Sequence, residues 1–183
     1  MNFRFSNKKV IIISIFSILF LAIIGLSIFF IVTNTPEPVT ITSNDNSFKL
    51  IIPGKIEFDR KDTTTLDIYS SKDEMVLTSN VISKQRDVNL PDVVGLEMAS
   101  LYSTKDNVEN LSELIKLELK DYEAYKYSYT YFDAEYNDNF YTEVVWIVTD
   151  KNIYALDLQV VTKNQEKYKT LFNDIINSFE EIA

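Results

Sequence analysis

The chain has 183 residues, with 18 Lys and Arg against 27 Asp and Glu for a net charge of −9, and it contains neither histidine nor cysteine. Without Cys there is no thiol catalysis, disulfide, Cys-ligated zinc or lipid-modified N-terminal cysteine; without His the usual general base near neutral pH and the commonest metal ligand are missing.

Residues 10–32 are an apolar run of 23 residues, interrupted only by Ser14, Ser17, Gly25 and Ser27. At 1.5 Å per residue such a helix is roughly 34 Å long, enough to cross a hydrocarbon core of about 30 Å. The run predicts a single transmembrane helix that stays uncleaved. It is longer than the apolar region of a secretory signal, and Pro36 directly after Thr35 is a poor place for cleavage. Arg4, Lys8 and Lys9 precede the run and no acidic residue occurs before Glu37. The positive-inside rule therefore predicts a cytoplasmic tail over residues 1–9 and an extracytoplasmic remainder. That remainder holds the other 15 Lys and Arg and all 27 acidic residues, a net charge of −12. Such a domain repels nucleic acid and anionic headgroups, so neither is expected as a partner.

Residues 33–46 carry Pro36, Pro38 and the string Ser43-Asn44-Asp45-Asn46, which predicts an extended stalk without a core of its own. The globular domain is expected over residues 47–183. Its first strand is residues 47–52, stopped by Pro53-Gly54, and a hairpin follows from 64–70 and 75–84 around a polar turn. Pro91 and the spacing of Leu90, Val94, Met98 and Leu101 predict a helix over 90–103. Ile115, Leu117 and Leu119 alternate with Lys116, Glu118 and Lys120, which predicts a strand. Strands are then expected at 123–133, 140–149 and 153–162 as an antiparallel meander. In the middle one, Val144, Trp146 and Val148 face one way and Val145 and Ile147 the other, so both of its faces should be covered. The last element is an amphipathic helix carrying Tyr168, Leu171, Phe172, Ile175, Ile176 and Phe179, with Thr162-x-x-Gln165 as a capping box or Asn164 as the cap.

This order of elements comes with Phe48-x-x-x-x-Pro53, Asp121-Tyr122-x-Ala124, Tyr154-x-Leu156 and Phe172-x-x-Ile175-Ile176-x-Ser178-Phe179. Over residues 47–180 the chain thus resembles the PsbP-like family, with Ile56 where an aromatic usually follows the proline and Asp121 where Gly is common. The resemblance implies an α+β fold, an antiparallel sheet of six to seven strands flanked by helices. It also implies a binding or assembly role and transfers no catalytic residue.

Three groups of residues compete for a functional role. Residues 132–139 gather carboxylates and amides suited to Ca²⁺, but Asp138 stands where an EF-hand loop needs Gly and Val144 where it needs Glu, so a solvated hairpin tip is the plainer reading. Tyr125, Tyr127, Tyr129 and Tyr131 alternate along one strand and either pack beneath the terminal helix or form an open aromatic platform. A carboxylate pair of the glycosidase kind would need two acids about 5–9.5 Å apart, which a sequence does not display. The sequence therefore predicts no catalytic residue, cofactor or metal ligand. It favours a domain that binds an envelope protein or wall component, over a wall-glycan hydrolase or a calcium-binding module. The expected contact surface is Tyr131, Asp133, Glu135, Tyr136 and Asp138, aromatic anchors with an acidic rim for a basic partner, while Tyr125 and Tyr127 are expected to be structural.

Overall fold

The computed structural model describes residues 20, 21, 23, 24, 36–54, 56–61, 65–72, 74–84, 89–105, 107–119 and 121–182. The expected transmembrane run and cytoplasmic tail lie outside these residues, apart from Phe20, Leu21, Ile23 and Ile24, which are helical and exposed. Among the described residues no helix is long and apolar enough to cross a membrane. The chain divides into Met1–Glu37 and Pro38–Ala183, and the fold described here is that of the second unit.

Its strands are β1 (Val39–Thr42), β2 (Phe48–Ile52), β3 (Asp59–Lys61), β4 (Leu66–Ser70) and β5 (Met75–Ser83), followed by helix α1 (Leu90–Thr104). Then come β6 (Ile115–Leu119), β7 (Tyr122–Asp133), β8 (Asp138–Val148), β9 (Asn152–Val161), helix α2 (Gln165–Asn177) and β10 (Glu180–Glu181). Seven strands form one antiparallel sheet in the order β3-β4-β5-β9-β8-β7-β6, and a second, three-stranded sheet is ordered β1-β2-β10. The expected hairpin β4–β5, the meander β7–β8–β9 and the strand at Ile115–Leu119 are all present. Because β5 pairs with β9, the two halves of the chain join at the middle of the large sheet.

Both faces of that sheet are covered, as the two-sided apolar pattern of β8 requires. On one face Leu77, Val145, Ile147, Leu156 and Leu158 pack with Phe172, Ile175 and Ile176 of α2 and with Phe48, Leu50 and Ile52 of β2. Phe48, Tyr154 and Phe179 close this core as a group of rings with centroids 5.1–5.5 Å apart. On the other face Leu90, Val94 and Leu101 of α1 cover Tyr127, Tyr129, Tyr131, Val144 and Trp146.

Four expectations are corrected. The stalk does not reach the domain intact, because Val39–Thr42 is a strand on β2 with Ile41 inside the core. Its alternating β-branched residues pair with an open edge once the prolines have ended. The single sheet becomes two, since β2 finds its partners in β1 and in the last residues of the chain rather than in the large sheet. The capping box does not form: Thr162 Oγ1 donates to the carbonyl of Asn139, and α2 starts from a 3₁₀ turn at Thr162–Asn164 with no side-chain capping bond. Finally, the helix over the tyrosines is α1, because α2 is taken by the opposite face.

Candidate functional site

Strand alternation places Tyr127, Tyr129 and Tyr131 in a row, with neighbouring ring centroids 6.2 and 6.1 Å apart. The row continues across strands, since Phe140 is the register partner of Tyr131 and stacks on it at 5.8 Å. After Tyr131 the chain turns: Asp133 Oδ1 accepts the backbone N–H groups of Glu135 at 2.9 Å and Tyr136 at 3.2 Å, and Asn137 takes the left-handed conformation with φ 53°. Asn tolerates that region because its short polar side chain can satisfy nearby backbone groups. The turn sets Tyr136 edge-on against Phe140 at 5.8 Å and leaves it 69% exposed.

A cleft of about 550 Å³ opens beside this end of the row. Tyr131, Tyr136 and Phe140 line one side, and Tyr69, Val76 and Gln159 line the other. These last three are brought level by the registers Tyr69↔Val76 and Val76↔Gln159. Gln159 spans the cleft floor by donating from Nε2 to the Tyr131 hydroxyl. Glu74, Asp133 and Asp138 stand around it, Glu74 in an ion pair with Lys163. Lys105, just beyond α1, places its ammonium 4.6 Å from the centroid of the Tyr131 ring. Burial is the main cause that pushes the Tyr131 phenol well above its ordinary value, so it serves the site as a neutral hydroxyl.

Of the residues expected to touch a partner, Tyr131, Asp133, Tyr136 and Asp138 share this cleft. Glu135 lines a neighbouring depression with Ser103, Thr104 and Phe132. Burial along β7 differs from expectation: Tyr131 is only 4% exposed, whereas Tyr125 is half-buried. The reason is α1, whose Leu101 packs in the same cluster as Tyr131 and whose following residue Lys105 lies over the Tyr131 ring. Sequence reasoning missed Tyr69, Glu74, Lys105 and Gln159, which come from four separate elements and meet only through the register.

Two carboxyl groups meet between α1 and the sheet rather than in the cleft, Glu97 on α1 itself and Asp157 on β9. Asp157, on β9 between Thr78 and Val144, is half-buried, with Oδ1 sealed from solvent and without a hydrogen-bond partner. Burial first and the neighbouring Glu97 second push it up to about 7. Glu97 is also raised by burial, although its Oε1 accepts a bond from the Tyr127 hydroxyl at 2.9 Å. On the opposite face, buried Glu143 is held by Lys126 at 3.2 Å and the Tyr141 hydroxyl at 2.7 Å, a satisfied structural ion. Among the described residues no group of three or more acidic side chains is placed to hold a metal ion, including residues 132–139, where Asp133 and Asp138 accept backbone N–H bonds.

No protein-family model matches the chain, and no curated protein matches it in sequence. Solved structures do match it in shape. Cyanobacterial PsbP (CyanoP) from Synechocystis superposes with a TM-score of 0.58 at 12% identity, over 79% of this chain and 92% of that one. The fold is PsbP-like. LpqN of Mycobacterium tuberculosis, a protein involved in cell envelope biogenesis, shares it with a TM-score of 0.58 at 10% identity, covering 80% and 91% of the two chains. The Ran-binding protein Mog1p of Saccharomyces cerevisiae gives a TM-score of 0.54 at 7% identity, covering 80% and 96%. What these PsbP-like structures share with the present chain is the architecture.

Proposed function

We propose that the chain is a non-catalytic binding or assembly domain, held by its N-terminal helix at the outer face of a cytoplasmic membrane. Its partner is an envelope protein or wall component. The anchor rests on the apolar run and its basic flank. The observation that carries the binding role is the cleft itself: an exposed ring, Tyr136, beside buried rings at the mouth of about 550 Å³, with three carboxylates around it. Aromatic anchors in a pocket with a charged rim are the usual energetic centre of a protein interface. An acidic rim on an acidic chain selects a basic partner. A fold shared with a Ran-binding protein and with an envelope-biogenesis protein supports the same reading. The hydrolase alternative has less support, because neither Glu97 of α1 nor Asp157 of β9, the acids with raised values, lines the cleft.

The test is capture from detergent-solubilised membranes with Tyr136→Ala and with a triple Asp133/Glu135/Asp138→Asn/Gln/Asn variant. The Asn side chain at 133 retains an oxygen for the turn. Each variant should hold its melting temperature and lose the partner by about tenfold or more, the loss typical of an interface anchor. Wild-type capture by both variants places the contact surface elsewhere.

A further inference from the structure

Two of the rings that line the cleft already carry a cation. Lys105 Nζ sits 4.6 Å from the centroid of Tyr131, and Lys61 Nζ sits 4.7 Å from that of Tyr69. The two lysines come from different parts of the chain, one following α1 and one ending β3. Ring faces in this cleft therefore attract ammonium groups in the folded protein, as the quadrupole of an aromatic ring does. A second feature points the same way. Asp133 and Asp138 are register partners across the β7–β8 turn, so two like charges lie directly opposite each other. That arrangement is unfavourable unless a cation neutralises it. Among the described residues neither carboxylate has an ion pair within 4.0 Å; Lys163, which pairs with Glu74, reaches Asp138 only through a longer-range attraction.

We infer that the cleft is a seat for a partner's lysine or arginine side chain, which lies on the Tyr131 ring between Asp133 and Asp138 and displaces Lys105, the intramolecular occupant of the same place. The inference rests on the partner-binding reading and specifies the chemistry recognised. Lys105 suits such an exchange. It is exposed, and its backbone N–H is fixed to the Leu101 carbonyl at 2.9 Å, so its side chain can leave the ring without moving α1. An exposed ammonium on a ring contributes a factor of only about 2–5 in an equilibrium, small enough for an incoming cation flanked by two carboxylates to overcome. Lys105 thereby keeps the buried tyrosine covered in the free protein and sets a threshold that weakly basic segments do not pass.

The experiment uses the full chain in a maltoside detergent, which carries no ammonium of its own, with an acetylated and amidated tri-lysine peptide as probe and tri-glutamate as control. With ¹³C-labelled lysine, the Lys105 ε-methylene resonance should be shifted by the ring current of Tyr131 and should return to its free value as tri-lysine saturates. Lys105→Met should raise tri-lysine affinity about 2–5-fold, whereas Lys151→Met, at the opposite end of β9, should leave it unchanged. Binding of tri-lysine with the Lys105 resonance unmoved overturns the proposal, as does equal enhancement by both substitutions or weaker binding by Lys105→Met. If tri-lysine binds neither form, the cation seat is wrong, and the partner reading survives only if Tyr136→Ala still abolishes membrane capture. If tri-lysine displaces Lys105 while the capture variants keep their partner, the seat stands and the partner reading fails.

Discussion

Asp157 is the residue whose chemistry departs most from what its type suggests. A carboxyl group on the central strand of a sheet, with one oxygen sealed and unbonded, loses hydration that nothing returns. Glu97 acts on it from α1, and the opposing charge of Lys105 has the smallest effect of the three causes. The sign of the consequence follows from proton binding. In the unfolded chain the group ionises near 3.8, and in the folded one near 7. Below about pH 4 both states are protonated and there is no penalty; between pH 4 and 7 the unfolded state releases its proton first, so stability falls as pH rises and then levels off. Asp157→Asn should abolish this decline. In denaturant titrations the variant should match the wild type near pH 4 and exceed it by about 1–3 kcal/mol at pH 8. A gap independent of pH would mean that the carboxyl is solvated. Neighbouring Tyr127 and Tyr131 show the related effect in phenols, both raised by burial, so the aromatic row is uncharged at any physiological pH.

At the level of elements the two helices differ in how strongly their sequence commits them. In α2, Tyr168, Phe172, Ile175 and Ile176 are buried at i, i+4, i+7 and i+8, and the other face is charged. Its docking face is legible without a structure. Phe172 is fully buried in the core that α2 forms with the strands, so Phe172→Ala should cost about 3–5 kcal/mol in urea or thermal unfolding. A loss below about 1 kcal/mol would contradict that packing. In α1 the pattern is diluted: Leu90, Val94 and Leu101 are buried, yet Leu96 is 74% exposed and Tyr102 is 63% exposed. With apolar residues on both sides, periodicity marks the helix but does not choose the face or its partner. The strands show the same division. The alternation of β7 is plain, and it separates Tyr127, Tyr129 and Tyr131 from Ala124 correctly, without saying which helix lies on each side.

For the whole molecule, the proposed anchoring implies an N-in, C-out protein with a single span. Protease added to wall-stripped cells should digest the acidic domain and spare the first residues, read with antibodies against each end. Complete protection of the domain would reverse the orientation and remove the proposed setting of the cleft. The absence of His and Cys from the full sequence adds a constraint on the same scale. Recognition then proceeds without imidazole or thiol, and the polar groups at the cleft include carboxylates, an ammonium group, an amide and phenol rings.

The sequence by itself determined what most segments of the domain would become. Period-two alternation in β6 to β9, the apolar stripe of α2, Pro91 at the start of α1 and the polar turn at residues 134–137 are local patterns, and local sterics and burial decide them. It also located one wall of the cleft, since Tyr131, Asp133, Tyr136 and Asp138 are neighbours along the chain. Only the tertiary structure decided which surfaces meet. The pairing of β5 with β9 brings Tyr69 and Gln159 to the tyrosines, the pairing of β10 with β2 creates a second sheet, and the placement of α1 buries Tyr131 and delivers Lys105 to its ring. Each choice depends on complementarity between residues tens of positions apart, where many pairings satisfy the same pattern of apolar and polar residues. The one that fills both faces of the large sheet at once wins, and that condition belongs to the assembled chain rather than to any stretch of it.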